Sequence, residues 1–172
     1  MTGFKPFDKF LRDYCISPGK MLDVGGSGSI VQTTVEPMGH QYESLNIGWG
    51  PYDIKDDPWH WSMIPDNTYD YVISLCAFEH IEFPWLTILE MTRVTKSNGL
   101  VYIIAPSTGS LHPNTLDCWR YFPDGMRALA KWGKLQVIDI ILDEKETFNY
   151  CEGIFKKPTN IADFNEVSHL GF

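Results

Sequence analysis

Three stretches of this sequence hold residues whose types and spacing could do chemistry. In the first, Asp23 precedes Gly25-Gly-Ser-Gly-Ser29, a run of glycines and serines. Glycines let a ligand approach the backbone closely, and a helix starting just after them leaves N–H groups unpaired. Such a run offers a pocket for a polar small molecule, although turn chemistry alone also explains glycine there. The second stretch runs from Pro106 to Tyr121 and gathers His112, Asp117, Cys118, Trp119, Arg120 and Tyr121. Loops of that length in compact domains are functional or disordered, and Trp119 and Tyr121 argue against disorder. Histidine titrates near ~6.5, so His112 is the first candidate for a general base and His80 the second. Arg120 could hold a carboxylate or phosphate. The alternative is that it pairs with Asp117 while Trp119 packs the loop down. The third stretch, Asp53 to Asn67, is irregular and carries Asp53, Asp56 and Asp57 with Trp59 and Trp61.

Recognisable elements surround these residues. Phe7, Phe10, Leu11 and Tyr14 recur at helical spacing, so residues 4–15 read as an amphipathic helix that Ser17-Pro-Gly breaks. Met21, Leu22 and Val24 make a short buried strand, followed by a helix at about 29–37 and a second strand over 40–47. Tyr71 to Ala77 and Leu100 to Ala105 are nearly continuous apolar runs, the pattern of strands buried on both faces of a parallel sheet. Between them, Pro84 opens a helix expected to run to Lys96 and to end at Asn98-Gly99. A helix over 122–132, a strand over 135–142 and a last strand over 149–155, paired as a hairpin, complete the series. Alternating strands and helices imply a mostly parallel sheet covered on both faces, with ligands bound outside the carboxyl ends of its strands. Segments 25–29, 46–50, 75–80 and 106–121 converge there.

Composition narrows the function. The 172 residues suit one domain, with 44% hydrophobic and 21% charged residues. A net charge of −8 with no basic run argues against nucleic acid or an anionic membrane as the main partner. No apolar segment approaches the ~20 residues of a membrane span. Asp8, Arg12 and Asp13 interrupt the N-terminus too early for a signal peptide. Cys15, Cys76, Cys118 and Cys151 are far apart, which fits a reducing cytoplasm. The five histidines lack metal-ligand spacing, so no metal is expected.

Two cofactor classes share this layout, nicotinamide or flavin dinucleotides and S-adenosylmethionine. The dinucleotide fingerprint G-x-G-x-x-G fails, because Val31 stands where its third glycine belongs. An acid before the glycines suits the ammonium group of S-adenosylmethionine. Four segments then resemble the class I S-adenosylmethionine-dependent methyltransferases of the "type 11" kind. They are Leu22-Asp-Val-Gly25, Ile64-Pro-Asp-Asn-Thr-Tyr-Asp-Tyr-Val-Ile-Ser74, Phe78-Glu-His-Ile81 with Glu90-Met-Thr-Arg-Val-Thr-Lys-Ser-Asn-Gly99, and Val101-Tyr-Ile-Ile-Ala-Pro106. The sequence departs from the family in Ser27 and Ser29, where glycines are usual, and in Asn46, where an acid is usual.

The resemblance implies a Rossmann-like, doubly wound α/β sheet of about seven strands, mostly parallel with a reversed last strand. It implies a single domain over 1–172, with an N-terminal helix within 1–19, a substrate-side loop at 106–121 and a tail at 158–172. The implied function is methyl transfer from S-adenosylmethionine, leaving S-adenosylhomocysteine, to an acceptor such as a small metabolite or glycan. The alternative is a non-catalytic cofactor-binding or interaction protein on the same fold. Asp23 would lie near the ligand's amino group, and Gly25, Gly26 and Gly28 would line its methionine portion. Asn46 and Ile47 would meet the ribose, with Glu43 as a substitute if the register differs, and Asp57 the adenine amine, a role its neighbours Asp53 and Asp56 could also take. Cys76 and Ala77 would pass beneath the cofactor. Asp117, Trp119, Arg120 and Tyr121 would face the substrate. Glu90 and Arg93, one helical turn apart, would form a structural pair. Little sequence remains to cover the substrate, so the acceptor is expected to be large or a homodimer to close the site.

Overall fold

The computed structural model describes residues 1–26, 29–46, 54–112, 116–143 and 149–160. In chain order the elements are α1 (Lys5–Tyr14), β1 (Lys20–Val24), α2 (Ser29–Val35) with a 3₁₀ turn at Glu36–Met38, β2 (Gln41–Asn46) and β3 (Ile54–Lys55). They continue with β4 (Tyr69–Leu75), a 3₁₀ turn at Phe78–His80, α3 (Pro84–Val94), β5 (Thr95–Pro106), α4 (Pro123–Trp132), β6 (Gln136–Asp143) and β7 (Tyr150–Lys156). The strands form one sheet in the order β3-β2-β1-β4-β5-β7-β6. All described pairings are parallel except those of β7, which runs antiparallel to both β5 and β6. The expected doubly wound sheet with a reversed last strand is what the chain builds.

Alternation along the central strands explains the two layers. Leu22, Val24, Val72, Val101, Ile103 and Ala105 face one side, where Ile88, Met91 and Val94 of α3 and Met126, Leu129 and Ala130 of α4 cover them. Met21, Tyr71, Ile73, Tyr102 and Ile104 face the other, under Phe7, Phe10 and Leu11 of α1 and Val31 and Val35 of α2. Phe10 stacks on Tyr102 with ring centroids 4.3 Å apart. The Asp8 carboxylate holds the start of α1 by accepting from the Thr2 N–H, the Thr2 hydroxyl and the Gly3 N–H.

Two expectations are corrected. Helix α3 stops at Val94, not Lys96, and Asn98-Gly99 lies within β5. The Thr95 hydroxyl donates to the Met91 carbonyl at 2.6 Å and closes the helix, while Thr95 pairs with Tyr69 in the sheet. Lys157 Nζ then donates to the Arg93 and Thr95 carbonyls, supplying a cation at the helix end. The irregular stretch after Asp53 contains β3, only two residues long and recognisable solely by its pairing with β2.

The Glu90–Arg93 pair is larger than helix spacing implied. Arg93 donates to both Glu90 oxygens at 2.9 and 2.6 Å, to Asp66 at 2.7 Å, and to the Ile64 and Trp61 carbonyls at 2.8 Å each. Burial opposes the charged form of Glu90, but the Arg93 hydrogen bonds outweigh it and hold the carboxyl below its ordinary range. The guanidinium thereby fastens the segment after β3 to α3. Arg93→Met should destabilise the protein by about 2–3 kcal/mol, below the usual cost of breaking a fully buried pair because the Arg93 side chain is 29% exposed. Urea unfolding measures it, and a loss under about 1 kcal/mol would mean that water replaces the fork.

Candidate active site

The strand order reverses between β1 and β4, and the edge outside the carboxyl ends of these strands is the crevice where open α/β sheets bind ligands. Asp23, Gly25, Gly26, Asn46, Cys76 and Ala77 all lie at that edge. The Gly25 N–H donates to the Leu45 carbonyl at 2.7 Å, and the Ser74 hydroxyl to the Val24 carbonyl at 2.9 Å. Beyond β4, the Cys76 N–H donates to the Ile104 carbonyl at 2.8 Å, although Cys76 itself adopts a left-handed conformation with φ +52°. The first loop therefore runs tightly against the third. A Cβ on Gly25, whose φ is +84°, would stand 2.4 Å from the Ala77 Cβ.

Asp23 is 3% exposed and accepts from the Tyr42 hydroxyl at 2.8 Å. Gly26 passes directly over its carboxylate, so near that a Cβ there would overlap Oδ2 at 2.2 Å. Burial pushes the Asp23 carboxyl up to about 6, partly offset by the Tyr42 hydrogen bond. A buried acid with one neutral donor suits a cationic ligand group. Asn46 is also buried, and its amide donates to the Gly26 carbonyl at 3.2 Å, tying the glycine loop to β2. Glu43 cannot substitute for it. It sits mid-strand opposite Leu22, engaged by Lys20 at 2.9 Å and the Tyr69 hydroxyl at 2.5 Å. Asp57 Oδ1 accepts from the Trp59 and His60 N–H groups and shapes its own turn. Its neighbour Asp56, one residue past β3, has a buried Oδ2 with no hydrogen-bond partner among the described residues. Gly28 and Ile47, like Ser27 and Asp53, lie outside the described residues.

Residues 116–121 hang from the turn after β4. The Glu79 carbonyl accepts from the Cys118 and Trp119 N–H groups at 2.7 and 3.2 Å, and the Trp119 indole donates to the Ile81 carbonyl at 2.9 Å. The Tyr121 hydroxyl donates to the Phe78 carbonyl at 3.1 Å, and Phe78 is wholly buried, its ring set edgewise to that of Tyr121. Arg120 makes a two-pronged pair with Asp117 at 2.5 and 2.8 Å, and the His112 N–H also donates to Asp117 at 2.8 Å. These contacts hold the Asp117 carboxyl well below the usual carboxylate range, the Arg120 bonds first. His80 and His112 come together with ring centroids 5.4 Å apart.

Sequence reasoning passed over Glu79, which is 2% exposed with Oε2 unpartnered among the described residues. Burial pushes its carboxyl up, against its own backbone N–H and the charges of His80, His112 and Arg120. The one signal the sequence carries for it is its place in Phe78-Glu-His-Ile81, beside His80.

Comparisons with known proteins point the same way. Many solved structures share the fold. The [4+2]-cyclase SpnF aligns with a TM-score of 0.76 at 12% identity, over 91% of this chain and 82% of its own. The Burkholderia thailandensis 1,6-didemethyltoxoflavin-N1-methyltransferase, solved with 1,6-didemethyltoxoflavin and S-adenosylhomocysteine, aligns at 0.73 and 13% identity, over 90% and 77%. A SAM-dependent methyltransferase from Aquifex aeolicus aligns at 0.67 and 15% identity, over 87% and 88%. No curated protein sequence matches. Residues 55–103, from β3 through most of β5, match the methyltransferase domain family, and the chain has the fold of S-adenosylmethionine-dependent methyltransferases.

Proposed function

We propose that this protein transfers a methyl group from S-adenosylmethionine to a small-molecule or glycan-like acceptor. The observation that carries this reading is the buried Asp23 carboxylate, roofed by Gly26 at the β1–β4 crevice with no cation beside it among the described residues. The residues fit the cofactor: Asp23 complements an ammonium, Gly25 and Gly26 leave room for the methionine portion, and the unpartnered Asp56 oxygen can accept from an amine such as that of adenine. Asn46 would meet the ribose more weakly than an acid, because its side chain offers one acceptor oxygen where a carboxylate offers two. Cys76 and Ala77 would form the floor. Burial pushes the Cys76 thiol up to about 12, so it stays a thiol and does not compete as a nucleophile.

When bound, the cofactor supplies a methyl group already activated by its sulfonium, so the protein's task is chiefly alignment. The 106–121 loop faces the acceptor. Arg120 is occupied by Asp117, which makes the pair a brace for the loop and leaves proton removal, where the acceptor needs it, to His112 with His80 beside it. No described helix is long and apolar enough to cross a membrane, and the net charge of −8 disfavours nucleic acid as the acceptor. Cofactor binding without methyl transfer is the second reading, favoured by an asparagine, with its single acceptor oxygen, at position 46. That a [4+2]-cyclase shares the fold is a reminder that architecture does not fix the reaction.

Thermal shift with S-adenosylmethionine, S-adenosylhomocysteine and NAD tests the cofactor, with stabilisation expected from the first two alone. No response to either sulfur ligand would sink the reading. With an acceptor in hand, His112→Ala should lower turnover by about 100-fold or more, the usual contribution of a positioned base. Unchanged turnover would remove His112 from that role.

A further inference from the structure

We propose that His80, His112 and Asp117 form a binding site for a divalent transition-metal ion at the acceptor end of the crevice. One ligand atom from each of the three lies within 4.8 Å of those of the other two. Two imidazoles and a carboxylate are the donor set that zinc, iron, cobalt and nickel prefer, whereas magnesium and calcium take oxygen ligands.

Three features go beyond the coincidence of three side chains. First, His80 Nδ1 is hydrogen-bonded to the Leu116 carbonyl. A carbonyl only accepts, so Nδ1 carries the proton and Nε2 the lone pair, the arrangement found in metal-ligating histidines. Second, the Asp117 carboxylate is oriented from behind. Arg120 and the His112 N–H donate to it, yet Oδ1 takes only one of these bonds and stands 3.9 Å from His112 Nδ1. Third, Glu79 brings a buried carboxylate to the same place. Its Oε1 is 3.7 Å from His80 Nε2, while its Oε2 has no partner among the described residues. Glu79 and Asp117 oppose the single charge of Arg120, so a cation would complete the balance of a cluster whose two acid side chains are 3% and 2% exposed.

The ligands must draw together by roughly an ångström to reach ordinary bond lengths of ~2.0–2.2 Å. The imidazoles have room for this, their side chains being 29% and 40% exposed. Three protein ligands leave a coordination position open, and a cation there would polarise an acceptor oxygen. His112 would then act as a ligand, and proton loss from the acceptor would be promoted by the metal. The site goes beyond the methyl-transfer reading and stands or falls apart from it, because cation binding is measured without cofactor.

The test is calorimetric titration of chelator-treated full-length protein with Co2+, followed in parallel by visible absorption. One equivalent should bind and produce the d–d bands of nitrogen-ligated, low-coordinate cobalt, while Mg2+ gives no heat. His80→Ala and His112→Ala should each weaken binding by at least about 100-fold, since losing even an outer partner of a ligand costs 10–100-fold. His60→Ala, outside the cluster, should bind as the parent does. Absence of binding, equal binding of Mg2+, or binding unchanged by the His80 and His112 substitutions would each overturn the proposal. Circular dichroism checks that the variants fold. Should His80→Ala unfold, the more exposed His112 decides.

Discussion

Asp23→Asn is expected to make the protein more stable at pH 7 and to abolish its response to S-adenosylmethionine. Burial raises the Asp23 carboxyl from 3.8 to about 6, so its ionised form is disfavoured in the fold. Between pH ~4 and ~6 the folded state holds a proton that the unfolded chain has released. Stability therefore falls as pH rises through that window, and above it a constant penalty of about 3 kcal/mol remains. Asparagine is nearly the same shape, carries no charge, and still accepts from the Tyr42 hydroxyl through its carbonyl. At this chain length the gain corresponds to a rise in Tm of roughly 5–10 °C at pH 7, shrinking towards nothing near pH 4. Differential scanning fluorimetry across pH measures both halves of the prediction. On the proposed function the charge is held for the cofactor's ammonium, so the stabilised variant should no longer respond to S-adenosylhomocysteine. A lower Tm at pH 7, or an undiminished ligand response, would show that Asp23 is a plain structural residue.

Gly25→Ala acts on the same edge in the opposite direction. The residue sits at φ +84°, where an L side chain costs about 1–2 kcal/mol, and the new Cβ would stand 2.4 Å from that of Ala77. Overpacking adds about 1–3 kcal/mol, for a total loss of roughly 2–5 kcal/mol. The two parts can be separated. Ala77→Gly in the same background removes the overlap but not the backbone strain, so the double variant should recover about half the loss. Denaturant midpoints at unchanged m-value give the coupling energy directly. Additive effects would mean that the two loops relax apart, and the crevice floor would then be softer than its hydrogen bonds indicate.

The sheet was legible because its central strands are buried on both faces. Tyr71 to Leu75 and Leu100 to Ala105 have no polar alternation to confuse with a helix, and Pro84 marks where α3 begins. What failed to show was settled by tertiary partners. Thr95-Lys-Ser-Asn98 reads as a polar helix end, but Thr95 pairs with Tyr69, and the Asn98 N–H donates to the Lys157 carbonyl at 2.8 Å, so the segment is strand. β3 is too short for any period. In the crevice, Asp23 and its glycines were legible because their chemistry is local to one turn. The assembly of Glu79, His80, His112 and Asp117 was not, because its members come from two loops and no spacing rule connects them. Arg120 illustrates the same limit. Its alternatives, anion binder or partner of Asp117, are indistinguishable along the chain and distinct in space.

The placement of β7 between β5 and β6 has a consequence for how the sheet comes apart. Within the sheet β6 bonds to β7 alone, its other edge being free of strand partners among the described residues. Any fluctuation that frees β7 from β5 therefore leaves β6 attached to the rest chiefly through α4 among the described residues, its backbone amides exchanging with water together with those of β7. The crevice lies on the far side of β5, at β1 and β4, whose pairings survive such an opening. The protein thus divides into a hairpin that can breathe and a parallel half that keeps the crevice in register while it does.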